Sequence, residues 1–546
     1  MISPLMLILL LIWLIGGGIR IYKQARFYQI EEYMSDRYTR WLFSDITRWL
    51  PRRPIAAWFV GGALGLFLGE APNSVIPEIL AIIAAMIAVY PPDKGEIKRA
   101  FVRTQRVTRM LAASFVIALL GLFLLIGLSN LLPQIDRLQV LIISGLGLIG
   151  FLLAPLWLML GNLAMTPVEA FLRQQFINQA KSVLDDIQPK IIGITGSYGK
   201  TTTKNFLRDI LNARYKTYAT PKSYNTMMGV CIAINNDLAG DYSIEYFISE
   251  MGAYIPGEIA RICGLTPPDI SIVIEVGPQH LERFGSLENV AIAKYEIIKG
   301  LSPDGLGIFN YDNPYVREMY ERSYPDNRIA VSREIDPNNV PPDGPRFIAS
   351  NIENSLDGLR FTVTDVGTDH QEIFETPVIG EHNVLNILLA TAVAIHEGMS
   401  LRDVALRVRT LQPAESRLVR KTTPQGITII NDAYSANPVG VISSLKVLGM
   451  HTTGKRLLIT PGMVELGELH EAENRKLGEA ATHYATDIIL IGAKQTEPIK
   501  QGVLSTDFPA EHLHTMENLS EAVMWYEGNF SAGDTVLFLN DLPDTY

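Results

Sequence analysis

An apolar run, Ile191 to Thr195, leads directly into Gly196, Ser197, Tyr198, Gly199, Lys200, Thr201 and Thr202, after which Phe206, Leu207, Ile210 and Leu211 recur at helical spacing. Strand, glycine loop and helix in that order constrain the fold around them. The geometry works at the end of a sheet strand whose faces are covered by helices. Glycines let backbone amides turn towards an anion, and the helix N-terminus adds partial positive charge. Lys200 would neutralise terminal phosphates, and the Thr201 hydroxyl would reach magnesium. Thr195 to Thr202 therefore reads as an ATP-phosphate loop, although Ile194 stands where the strict eight-residue pattern wants glycine. The competing reading is a plain glycine turn before a helix.

The texture around the loop agrees. Apolar strands at Tyr246–Ile248 and Ile270–Ile274 alternate with helical patterns, and a second alternating unit begins near Ile427, with strands at Leu457–Thr460, Ile488–Ile491 and Thr535–Leu539. Short alternating strands such as Leu359–Val363 lie between them. These patterns predict an α/β fold: a P-loop-type parallel-sheet ATPase domain over 190–413 and a Rossmann-like domain over 414–546.

The first 165 residues differ. Of 546 residues 48% are hydrophobic, and five apolar stretches account for much of the excess: Leu5–Gly18, Pro54–Gly69, Ile76–Tyr90, Leu111–Leu132 and Val140–Leu163. The last two reach the roughly 20 residues that cross a bilayer as a helix. The others are shorter, and the second and third could instead form a re-entrant hairpin. Lys and Arg cluster in two intervening segments, Arg20 to Arg53 and Lys94 to Arg109, which predicts that these face the cytoplasm and that everything after Leu163 does too. The lipid bilayer is thus an expected partner. The cores of these spans contain no ionisable residues, which favours an anchor over a transporter. Thr166–Pro167 reads as the start of an amphipathic connecting helix over 166–189, with Phe171, Phe176, Ile177 and Val183 on its apolar side. A net charge of -10, with only the N-terminal third locally basic, gives no electrostatic reason to expect nucleic acid as a partner. The two cysteines, Cys231 and Cys263, suggest neither a disulfide framework nor a zinc site.

Three further residues follow the loop in order. Glu250 closes an apolar strand, where a carboxylate could hold magnesium or simply be a solvated turn. His280 comes soon after the Ile270 strand, and Lys294 lies in a helical run. Singly, each also has a packing or surface reading. Together with the loop, the stretch from Lys190 to Leu469 resembles the Mur ligase family, whose phosphate loop has the shorter form Thr-Gly-x-x-Gly-Lys-Thr-Thr. The resemblance implies Glu250 and His280 as ligands of two Mg2+ ions and a carbamylated Lys294 as an anionic ligand. It implies that His382 and Asn386 contact the nucleotide, that Arg417 reaches its phosphates, and that Asp432 and Tyr434 hold ribose and adenine. Asn225 and Thr226 match the substrate-side loop. The implied activity is ATP-dependent: a carboxylate becomes an acyl phosphate, which the amine of an amino acid or dipeptide attacks, in peptidoglycan or cell-envelope synthesis.

Two departures bear on substrate. Apolar segments occupy the place of the family's UDP-sugar-gripping domain, so a lipid-linked or polymeric acceptor at the inner membrane face is expected. The terminal Leu537 to Tyr546 lacks the Lys-Gly-Ser element of the branch adding D-alanyl-D-alanine, which leaves the amine open. Capsule-type polyglutamate ligation and an ATP-binding scaffold without ligation are the alternatives.

Overall fold

The computed structural model describes residues 3–68, 75–90, 101–129, 136–414, 417–433 and 437–540. They form two compact units, divided between Gln175 and Phe176.

The first unit is helical: α1 (Pro4–Ile30), α2 (Ser35–Phe43), α3 (Ile46–Trp49), α4 (Arg52–Leu68), α5 (Ile76–Val89), α6 (Gln105–Ser129), α7 (Asp136–Leu152) and the first part of α8 (Ala154–Ile187). Two helices, α1 and α6 over Gln105–Leu124, are long and apolar enough to cross a membrane; α7 and α8 form a third candidate, bent by 56° at their break. The fifth apolar stretch is therefore not one continuous helix. The shorter α4 and α5 pack antiparallel through small residues. A Cβ on Gly61 would lie 2.4 Å from Ala84 Cβ, and one on Gly65 would lie 3.5 Å from Pro77 Cα. Arg20, Lys23 and Arg26 belong to α1 and not to the segment after it. The Arg20 guanidinium donates to the carbonyls of Phe151 (3.1 Å) and Trp49 (2.6 Å), which helix ends leave unpaired.

Pro167 does not start a helix. It lies inside α8, because the apolar residues preceding it continue the helix from Ala154, and a local start signal yields to that context. The connecting helix is thus the second half of a longer one. Its predicted apolar side holds at Phe176, Ile177 and Val183, which pack on the core of the second unit, whereas Phe171 is exposed.

The second unit contains two sheets. Nine strands run in the order β2 (Thr217–Ala219), β3 (Tyr246–Glu250), β1 (Lys190–Thr195), β4 (Ile270–Val273), β5 (Leu306–Asn310), β6 (Arg328–Ser332), β7 (Phe347–Ser355), β8 (Gly358–Asp365) and β9 (His370–Thr376). Pairing is parallel from β2 to β7 and antiparallel beyond. Its central strands are apolar on both faces because helices cover both: Ile192 and Ile194 pack towards the helix His382–His396, and Ile191 and Phe247 towards the other layer. The second sheet runs β10 (Val419–Thr422), β11 (Thr428–Asp432), β15 (Thr535–Leu539), β12 (Arg456–Thr460), β13 (Asp487–Ile491), β14 (Leu513–Met516), parallel except for β10. Both α/β halves are thus as expected, with β10 and β14 added.

Candidate active site

In a parallel sheet, the loops at the C-terminal strand ends gather on one edge, and a crevice opens where the strand order changes direction. Here that point is β1, flanked by β3 and β4. Parallel register sets Ile194 beside Glu250 and Thr195 beside Val273, so the glycine loop, Glu250 and the segment after β4 share an edge.

The loop then turns into α9 (Lys200–Leu211). Gly199 caps it with φ +80°, a left-handed conformation that favours glycine. A Cβ there would come 2.7 Å from Asn386 Oδ1. Ser197 Oγ donates to the Gly277 carbonyl at 3.0 Å, and Thr195 Oγ1 to the Met251 carbonyl at 2.8 Å. Lys200 Nζ folds back on the loop's own carbonyls, Gly196 at 2.6 Å and Ser197 at 3.2 Å. Desolvation, opposed by Glu250 and reinforced by the Arg417 charge, pulls Lys200 down to about 8. A phosphate would offer this cation a better partner than neutral carbonyls.

Glu250 is fully buried and bound from three sides. Thr201 Oγ1 donates to Oε2 at 3.0 Å, Lys204 Nζ to the same oxygen at 3.0 Å, and Asn225 Nδ2 to Oε1 at 3.2 Å. Lys204, equally buried, is held below its ordinary value by desolvation, and its ammonium also meets the Lys222 carbonyl. It lies one helical turn after Lys200, a spacing that could have revealed it. Thr226 caps the helix Met227–Ala233, its Oγ1 accepting from Gly229 N, so Asn225 alone of the substrate-side pair reaches the carboxylate.

Lys294 sits in the helix Leu287–Lys299, almost wholly buried, its Nζ 5.8 Å from the centre of the Phe284 ring. Burial first, and then the Lys200 charge, drives it well below the usual lysine range. His280 takes φ +54°, packs edge-on to Tyr254 at 4.6 Å, and pairs through Nδ1 with Glu465. Among the described residues no three His, Cys, Asp or Glu side chains converge on one point. Hard oxygens at Glu250 and Thr201 fit magnesium, which commonly takes one or two protein ligands and completes its shell with phosphates and water.

Beside the loop lies a cleft between the two sheets' domains, lined by Tyr198, Gly199 and Thr202, by His382 and Asn386, and by Arg417 and Asp432. His382 Nδ1 lies 2.8 Å from Ser443 Oγ. Burial and the charges of Arg333 and Arg417 pull the histidine down to about 4. Asn386 Oδ1 accepts from Thr203 at 3.1 Å, tying its helix to the loop's helix. Asp432, raised by burial, accepts from Ser444 at 2.5 Å and from Leu418 N at 3.2 Å. Tyr434 lies outside the described residues. Sequence reading missed Glu275, whose carboxyl also lines the cleft, is pushed up to about 7 by burial, and accepts from Asn310 at 3.2 Å.

Residues 194–394 match the Mur ligase middle domain and 416–540 the Mur ligase glutamate ligase domain. A UDP-N-acetylmuramoyl-tripeptide–D-alanyl-D-alanine ligase of Bacillus subtilis is 29% identical over 360 residues, covering 66% of this chain and 74% of its own length. The protein of the same name in Escherichia coli is 31% identical over 330 residues, 60% of this chain and 70% of its own. Among solved structures, MurF from Acinetobacter baumannii shares the fold with a TM-score of 0.59 at 24% identity, covering 68% of this chain and 77% of that one. MurF from Thermotoga maritima in complex with ADP gives 0.58 at 23%, with 68% and 80% covered. This chain belongs to the Mur ligase family and is an ATP-dependent ligase that joins a carboxylate to an amine.

Proposed function

We propose that the chain phosphorylates the carboxylate of a muramoyl-peptide-type acceptor and couples it to an amino acid or dipeptide, with lipid-linked or polymeric cell-envelope material as its acceptor. The observation that carries the chemistry is the cleft into which the phosphate loop faces from one domain and Arg417 and Asp432 from the other. The names of the relatives, which pair a UDP-linked muramoyl tripeptide with D-alanyl-D-alanine, support the substrate class.

In the first step a carboxylate oxygen bonds to the γ-phosphorus of ATP while the bond to the ADP oxygen breaks. In the second the amine adds to the acyl carbon, phosphate leaves, and the amine gives up a proton. Lys200 and Arg417 offset charge on the transferring group, and His382, Asn386 and Asp432 orient the nucleotide. Magnesium, held by Thr201 and Glu250 with a second ion at His280, supplies further charge neutralisation when bound. Lys294, whose burial disfavours the ammonium form, would in its neutral form add carbon dioxide at Nζ and release a proton, giving the carbamate. Closure of the domains on the acyl phosphate keeps water from it.

The apolar α1 and α6 support a membrane location, and the basic segments support ligase domains on the cytoplasmic side. Mass spectrometry of the products formed by the full-length chain from ATP, bacterial lipid extract, UDP-linked muramoyl tripeptide and pooled amino acids and dipeptides tests the reading. A condensed product in the lipid fraction is expected. Product confined to the UDP-linked substrate would refute the lipid-linked acceptor, and absence of any amide would refute the ligation.

A further inference from the structure

We infer that Glu465 is a positioning residue: carried by the C-terminal domain, it sets the tautomer and orientation of His280 and so makes metal binding at that histidine depend on how the two domains meet. This rests on the proposed magnesium role of His280. The two residues stand 185 positions apart, in different domains, and touch through Nδ1 and a carboxylate oxygen. An ionised carboxylate only accepts, so the ring donates from Nδ1, and in a neutral imidazole that places the lone pair on Nε2. A ligating histidine needs that state, and its second nitrogen is commonly fixed by a carboxylate in this way.

The contact is built by backbone as well as side chain. The Glu465 carbonyl accepts from Leu281 N at 3.0 Å, so one residue grips both the ring and the start of the turn that carries it. Both partners hold positive φ, +54° at His280 and +60° at Glu465. Two non-glycine residues in the left-handed region, facing each other across a domain boundary, are a costly arrangement that surrounding structure must enforce, and such strain collects at working sites. Tyr254 closes the other side of the ring, with Arg283 4.4 Å over the tyrosine. The carboxylate on the ring is that of Glu465.

The test is Mn2+ binding to the purified full-length chain with a non-hydrolysable ATP analogue, followed by electron paramagnetic resonance. Two Mn2+ ions are expected for the parent chain, one of them lost in His280→Ala. Glu465→Ala should weaken that same ion by 10 to 100-fold while the other ion and metal-free nucleotide affinity stay within about twofold. Glu465→Gln, which keeps an acceptor for Nδ1–H, should recover most of the loss. Wild-type Mn2+ affinity in Glu465→Ala would overturn the inference, as would an equal loss at both ions, which marks a merely structural role. A parent chain with no His280-dependent ion would instead refute the metal role on which the inference rests.

Discussion

The two units of this chain sort their side chains in opposite ways. In α4 and α5 the contact surface is made of Gly61, Gly65, Ala81 and Ala84, while large residues such as Phe59 and Phe67 point outward, Phe67 at 79% exposure. In the nucleotide-binding half, Phe247, Ile272 and Phe309 are completely buried, and polar side chains such as Thr202, Glu275 and Arg417 line a cleft. Water rewards the second arrangement, because it buries apolar area at about 25 cal/mol per Å². Hydrocarbon removes that reward, and helices then associate through close backbone approach at small residues. On the proposed membrane location, the contrast is that of one polypeptide written for two solvents, with the phosphate loop and its cleft in the half written for water.

The sharpest way to break this division is Lys200→Ala. It should lower ligation by about a thousandfold or more, since a cation on the transferring phosphoryl group contributes on that scale. Partition of the chain into the membrane fraction should not change. Loss of both together, measured by product formation and fractionation, would show that the two units are not separable in function. Next in size is Lys204→Met, which strands the buried Glu250 carboxylate. A loss of about 3 kcal/mol is expected, read as a lower thermal midpoint of the ligase unit, and Mg2+ should restore part of it by replacing the missing cation. Gly61→Val should cost about 1 to 3 kcal/mol by forcing α4 away from Ala84. Its expression is a lower melting temperature in detergent with unchanged phosphate release per folded molecule.

A further effect concerns pH. His382 is neutral when folded, with its pKa pulled to about 4 from 6.5. The folded state therefore binds fewer protons there than the unfolded chain between those values. Its contribution is intact above pH 6.5 and is lost as pH falls towards 4. The melting temperature should drop over that interval more in the parent than in His382→Asn; identical slopes would remove the buried histidine from the account.

The features legible in sequence were those whose parts are contiguous or set by strand register. The loop from Thr195 to Thr202 needs only its own glycines and the strand before it, and Glu250 falls beside it because β1 and β3 pair in parallel. Features made by distant contact were not legible. Glu465 gives no local sign that it will meet His280, and Glu275 reads as one more carboxylate after a strand until Asn310 and the cleft surround it. Pro167 misled because its helix is decided by the apolar residues before it and not by the Thr-Pro pair. The edge strand β10 was missed because three of its four residues are exposed, so no apolar alternation marks it.

The central claim is that the water-facing half activates a carboxylate as an acyl phosphate. Hydroxylamine tests it most directly, because it intercepts such a species without knowledge of the natural amine. With ATP, Mg2+, lipid extract and UDP-linked muramoyl tripeptide, the full-length chain is predicted to release ADP and an acceptor hydroxamate in equal amounts, and Lys200→Ala to form neither. ADP release without hydroxamate would contradict the claim.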